Sequence, residues 1–105
     1  MDANEFSFGP GKVEQWDLAA IDGASPVAPD ATDELKEDLA QISFPNGLVV
    51  DVGWYPEFSA LGRFVVVVVH KSDWVNPLLK RECSSGNALK EAIRDATAFA
   101  RLGSP

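Results

Sequence analysis

The residues of this 105-residue chain whose types could do chemistry are few: one histidine, His70, one cysteine, Cys83, and the acids Asp33, Glu34, Glu37 and Asp38. Nucleophilic catalysis would need the imidazole within hydrogen-bond reach of the thiol or of a serine hydroxyl. The acids fall at i, i+3 and i, i+4 spacings, which on a helix gathers carboxylates on one side, but they lack the alternating acids and central glycine of a calcium loop. They read as a solvated helix face. A single cysteine rules out an internal disulfide and any metal site built from several thiolates. No GxGxxG, phosphate-binding loop or zinc spacing occurs. The expectation is a protein that is not an enzyme, with no catalytic, cofactor-binding or metal residues.

The elements that would position these residues come from the hydrophobic pattern. "KVEQWDLAA" reads as a strand with Trp16 and Leu18 on one side, and "IDGASPVAPD" as a loop, with two prolines and a glycine in ten residues. A helix is expected next. Asp30 or Thr32 would be its N-cap, Asp33 and Glu34 would occupy the first turn where the helix dipole favours acids, and Leu35 and Leu39 would form its apolar stripe. "FPNG" places turn residues between two apolar runs and predicts a hairpin joining Ile42–Phe44 to Leu48–Tyr55. "RFVVVVVH" fits a central strand, and Leu78–Cys83 a short one. "SSGNALKEAIRDATAFARLG" sets Leu89, Ala92, Ile93, Ala96 and Phe99 at helical spacing, with Ser85 or Asn87 as cap and Gly103 past the end. The predicted fold is α+β in one domain, 1–105. An antiparallel sheet of four or five strands, in α-β-β-β-β-α order, carries the C-terminal helix on one face. Residues 1–30 form a loosely structured leading segment with one strand at most.

Closing each connection symmetrically pairs Phe44 with Leu48, Tyr55 with Arg63 and Lys71 with Leu78. Side chains alternate along a strand and directly opposed residues share a face, so this pairing sorts the sheet in two. One face collects Ile42, Phe44, Leu48, Val50, Val52, Trp54, Phe64, Val66, Val68, His70, Leu79 and Cys83. That is the core face the C-terminal helix should cover. The other collects Ser43, Val49, Asp51, Gly53, Tyr55, Val65, Val67, Val69, Leu78, Lys80 and Glu82, a valine stripe rimmed by charge. In "GWYPEF", Trp54 is therefore core and Tyr55 lies on the second face. Either residues 1–30 cover that face, through Val13, Trp16 or Leu18, or a partner does. On this pairing His70 faces Leu79, four residues from Cys83 along the sheet, roughly 13 Å at ~3.3 Å per residue. They cannot form a dyad.

Composition narrows the class further. At 46% hydrophobic and 24% charged residues the chain is an ordinary globular sequence rather than a disordered one. Its longest apolar run, Phe64–Val69, is far below the ~20 residues of a membrane helix, and "MDANEF" lacks the basic and apolar regions of a signal peptide. No membrane partner is expected, and the location expected is cytoplasmic. The net charge of -7 is uneven: residues 1–58 hold twelve acids and two bases, residues 59–105 four acids and seven bases. Such asymmetry speaks to partners rather than to fold.

From Trp54 onward "YPEF", "GRFVVVV" and "CSSGNALKEAIRDA" resemble the toxin-neutralising domain of HicB-type antitoxins. That family runs from a strand with a Tyr-Pro pair, through a glycine and an aromatic opening the next strand, to a short strand with cysteine and glycine and an alanine-rich helix. The resemblance covers about half of the chain. In acidity, size and lack of catalytic chemistry the chain is also similar, as a class, to the immunity proteins of bacterial toxin systems, which block basic toxin domains. The order of elements resembles double-stranded-RNA-binding domains as well, in "GRFVVVVV" and "SGNALKEAIRDA". That family grips phosphates with lysines opening its second helix, whereas only Lys90 and Arg94 stand here, with Glu91 between them.

These readings converge on a small acidic protein-binding domain that inhibits a basic partner such as a toxin. Tyr55, Glu57 and Phe58 in one loop and Asp73 and Trp74 in another would make contact, with Glu34, Glu37 and Asp38 steering. The alternatives are an RNA-binding module and a domain that self-associates, as a homodimer, through Val65, Val67 and Val69. Phosphate contacts supply most nucleic-acid affinity, and the acidic segment repels phosphate, so no binding to double-stranded RNA is expected at physiological salt. A gel shift at micromolar protein that weakens steeply with added salt would overturn this expectation.

Overall fold

The computed structural model describes residues 1–19, 21, 37–56, 58, 62–71 and 73–102. Among the described residues five strands, β1 Lys12–Trp16, β2 Ala40–Ser43, β3 Leu48–Tyr55, β4 Arg63–His70 and β5 Leu79–Cys83, precede one α-helix, α1 Gly86–Leu102. Neighbours in sequence are neighbours in space, so the sheet is an antiparallel meander in the order β1-β2-β3-β4-β5. The fold is α+β, with α1 laid across β3, β4 and β5. No helix among the described residues is long and apolar enough to cross a membrane.

The β2–β3 hairpin follows from its turn residues. Pro45 presets the first corner position, Gly47 donates to the Phe44 carbonyl at 3.0 Å with φ at 88°, and Phe44 donates to Leu48 across the neck at 2.9 Å. A side chain at Gly47 would be strained by that φ and would crowd the His70 ring, 3.1 Å from a Cβ placed there. The Asn46 side chain accepts from the Leu48 amide and donates to the Ala100 carbonyl, tying the hairpin to the end of α1. β3 and β4 then pair along their full length, from Leu48 opposite His70 to Tyr55 opposite Arg63. Five consecutive valines in β4 suit this central position, since β-branched side chains pack well on both faces of a pleated sheet.

That pairing produces the two faces expected. Trp54 is 3% exposed and stacks edge to face on Phe64, ring centroids 4.8 Å apart, while Tyr55 is 40% exposed on the other side. Leu48, Val50, Val52, Phe64, Val66 and Val68 are fully buried on the side that α1 covers, and Ile42 on β2 is fully buried in the same core. The helix is capped by Ser85, whose hydroxyl accepts from the Ala88 amide at 3.2 Å. Its buried stripe is Leu89, Ala92, Ile93, Ala96, Thr97 and Ala100, and the three alanines let the backbone approach the sheet closely. Phe99, expected in this stripe, is 37% exposed. Ala100 takes its place, because the row through Leu89, Ile93 and Ala96 continues at 100 on a 3.6-residue period.

Two expectations need correction. β5 is offset by two residues from the symmetric closure: Leu79 pairs with Val68 rather than His70, and Cys83 with Phe64. Lys71, at φ 50°, turns the chain away, Asp73 closes on the His70 carbonyl, and Leu78 returns to bond the Val68 carbonyl at 2.7 Å. A connection this long does not dictate register as a tight turn does. An even offset keeps every residue on its face. The helix expected before β2 lies mostly outside the described residues. Its expected end does not continue as helix, since Glu37, Asp38 and Leu39 have non-helical backbone and the Leu39 amide bonds Val52, adding to the sheet.

The N-terminal residues complete the helix side. Met1, Phe8, Leu18 and Ile21 join the core, and Trp16 packs against it. The Met1 nitrogen donates to the Leu18 carbonyl at 2.8 Å and to that of Ile21, and the Trp16 indole donates to the Met1 carbonyl at 3.1 Å. Trp16 and Leu18 therefore do not cover the second face, as one reading of the sequence had it. Lys90 bonds Glu5 at 2.8 Å and the Arg94 guanidinium lies 5.5 Å from the Phe6 ring centroid. The helix cations thus hold the leading segment in place.

If Trp54 and Phe64 anchor the helix-covered face, replacing either with alanine should cost ~3–5 kcal/mol in urea unfolding. Tyr55→Ala should cost about 1 kcal/mol or less. Equal losses at Trp54 and Tyr55 would contradict the assignment of faces.

Candidate functional site

The second face is closed at one end and open at the other. At the closed end the chain entering β2 crosses the sheet at Gly53, where a Cβ would collide with the Glu37 carbonyl oxygen, so only glycine admits that crossing. The Gln15 side chain holds this segment by donating to the Asp38 carbonyl and to the Asp17 carboxylate, both at 2.9 Å. Val69, at the His70 end of the valine stripe, is fully buried, while Val65 and Val67 on β4 and Val49 on β3 are partly accessible.

The open half, over β3 to β5, is a groove of about 590 Å³. Val65 and Val67 form its floor. Tyr55 and Pro56 wall one end, and Trp74, Val75 and Pro77 lean in from the β4–β5 connection. Trp74 is 48% exposed and Val75 87%, so this wall is apolar surface in contact with water. The strand register orders the charges: Asp51, Val67 and Lys80 lie in one row across the sheet, Gly53, Val65 and Glu82 in the next, then Tyr55 and Arg63. Arg63 and Glu82 pair at 3.2 Å with both side chains about half exposed, a surface ion pair worth at most ~1 kcal/mol.

Asp51 is different. It is half-buried, and among the described residues it accepts no hydrogen bond and pairs with no cation. Burial, reinforced by the nearby Asp38 carboxylate, pushes its pKa up to about 6.

Among the contact residues expected from the sequence, the fold brings Tyr55 and Trp74 together on this groove. Phe58 is 53% exposed in the β3–β4 connection, with φ at 58°, and Asp73 is exposed beside Trp74; neither lines the groove. Glu37 and Asp38 are exposed at the closed end. Glu34 and Glu57 lie outside the described residues. Asp51 was absent from the expected contacts, although the alternation of β3 already places it on the second face. His70 and Cys83 end farther apart than expected: Cys83 opposes Phe64, six residues along β4 from His70, roughly 20 Å at ~3.3 Å per residue. Burial raises the Cys83 thiol pKa, which disfavours the reactive thiolate. Among the described residues no three of His, Cys, Asp and Glu gather as a metal site requires. Compared with known proteins, the chain matches no family model, no curated protein and no solved structure.

The Asp51 shift has a consequence for stability. Its folded pKa, about 6, lies above the ordinary 3.8, so the folded state binds the proton more tightly than the unfolded chain does. Stability from this group falls as pH rises from about 4 to about 6, and the penalty is complete above that range. Asp51→Asn should therefore stabilise the fold by about 1–2 kcal/mol at pH 7.5, allowing for solvent screening, and by little at pH 4. Thermal or urea melts of both proteins at the two pH values check this; a gain independent of pH would contradict it.

Proposed function

We propose that this is a non-enzymatic protein-binding domain that takes a basic partner, such as a toxin, on the open half of its sheet, in the manner of an antitoxin or immunity protein. The observation that carries this reading is the groove itself. Its wall places Tyr55, Trp74 and Val75 in water beside a valine floor, which is the composition of an interface centre, and a charged rim surrounds it. The Tyr-Pro pair of the antitoxin-like pattern lies at this end of the sheet. Glu37, Asp38 and Asp51 stand on or beside the same face and favour a cationic approach. The cations of α1 that an RNA-binding reading would use, Lys90 and Arg94, are engaged with Glu5 and Phe6 instead.

The two sets of residues should separate in kinetics. A basic protein captured by the wild type and identified by mass spectrometry would be titrated against variants by surface plasmon resonance at several salt concentrations. Neutralising Glu34, Glu37 and Asp38 together should slow association about tenfold at low salt and flatten its salt dependence, with dissociation nearly unchanged. Trp74→Ala or Tyr55→Ala should instead speed dissociation by about thirtyfold or more, as loss of a desolvated aromatic anchor does. Recovery of this chain alone, with a concentration-dependent dimer, would replace inhibition with self-association.

A further inference from the structure

The groove carries one side chain, Asp51, that the described residues leave unsatisfied. Removing a carboxylate from water is costly unless a donor or a cation compensates. Among the described residues Asp51 receives neither, although it is half-buried at the edge of the valine floor. The charged groups around it do not supply the compensation. Asp38, from the segment leading into β2, repels it. β2 offers only Gln41 directly opposite, and β4 only Val67. Lys80 on β5 lies two strands away, about 10 Å between backbones, and Arg63 is taken up by Glu82. A cation from outside the chain would restore what burial removes.

The surroundings also define the shape of that cation. Val65 and Val67 give an apolar floor suited to a methylene stem, and Tyr55 and Trp74 line the same groove with aromatic rings, the groups that attract ammonium and guanidinium ions. We propose that Asp51 is the acceptor for a lysine or arginine side chain of the partner protein, laid along Val65 and Val67 between Tyr55 and Trp74. This rests on the reading of the groove as a binding surface and names the chemistry it selects. Lys80 lies on β5 across the floor from Asp51, so the positive end of the guest points to Asp51 and away from Lys80.

A bound cation favours the ionised carboxylate, so the free protein must lose a proton to bind when the pH is below about 6. Affinity then falls with acidification, about tenfold between pH 7 and pH 5, while an uncharged guest shows no such dependence. The probes are capped pentapeptides, Ala-Leu-Xaa-Leu-Ala, with arginine, lysine, norleucine or glutamate at the centre. They would be titrated by NMR at pH 7 and pH 5 while following the Val65 and Val67 methyls and the Trp74 indole.

The arginine and lysine peptides should shift these signals and bind about tenfold more weakly at pH 5. Norleucine should bind more weakly with no pH dependence, and glutamate most weakly. Asp51→Asn, expected to fold at least as well as wild type, should level the four peptides and abolish the pH dependence. Equal binding of the glutamate and arginine peptides, an unchanged preference in Asp51→Asn, or no shift with any peptide would overturn the proposal. Its failure is separable from that of the broader reading. A basic protein that binds wild type and Asp51→Asn alike, with no pH dependence, sinks the role of Asp51 and leaves the inhibitor reading standing. Peptides that behave as expected while no basic protein is held do the opposite.

Discussion

The pairing of β3 with β4 over all eight residues of each strand decides what every other element of this protein meets. Trp54 against Phe64 anchors one side of the pair, and α1 closes over it with alanines that bring helix and sheet together. Tyr55 opposite Arg63 falls on the other side, and with it the floor of the groove. A slip of one residue would send Trp54 into water and bury Tyr55 and Asp51 beneath the helix, so the burial of the large core side chains enforces the geometry of the open face.

The two faces are completed by parts of the chain remote from that pair, and they are completed differently. On the helix side the leading segment fills the remaining space with Met1, Phe8 and Leu18, and the cations of α1 hold it through Glu5 and Phe6. On the other side the backbone at Glu37 presses on Gly53, but the valines of β4 next to it stay partly open. Among the described residues the sheet therefore has one face finished by its own chain and one finished only in part. Asp51 sits at the boundary, shielded enough to lose water on one side and given no partner among the described residues. A group in that position lowers the stability of the free protein and raises the value of a cation that reaches it.

How much of this is legible in the sequence depends on how local the signal is. The bounds of β3 and β4 and the separation of Trp54 from Tyr55 follow from a run of valines and a two-residue period, and the register of β2 on β3 from a turn whose proline and glycine admit one geometry. The capped alanine-rich helix is equally plain, apart from the exchange of Phe99 for Ala100 at its last turn. The register of β5 is not legible, because the connection through Trp74 is too long for its ends to impose a pairing. Of the site, Tyr55 and Trp74 stand out as aromatics in loops, but nothing near either residue says that they share a groove.

By itself, then, the sequence determines which residues share a face, since alternation within a strand is set by backbone geometry and needs no distant contact. It determines the α+β class, the absence of a His70–Cys83 dyad and the acidic character of the first half of the chain. Only the tertiary structure decides which part of the second face stays open and which carboxylate on it lacks a partner among the described residues. Solvation of a side chain depends on whatever the fold brings near it, and for Asp51 that means residues from β1's neighbour to β5, separated by long connections whose paths no local pattern specifies.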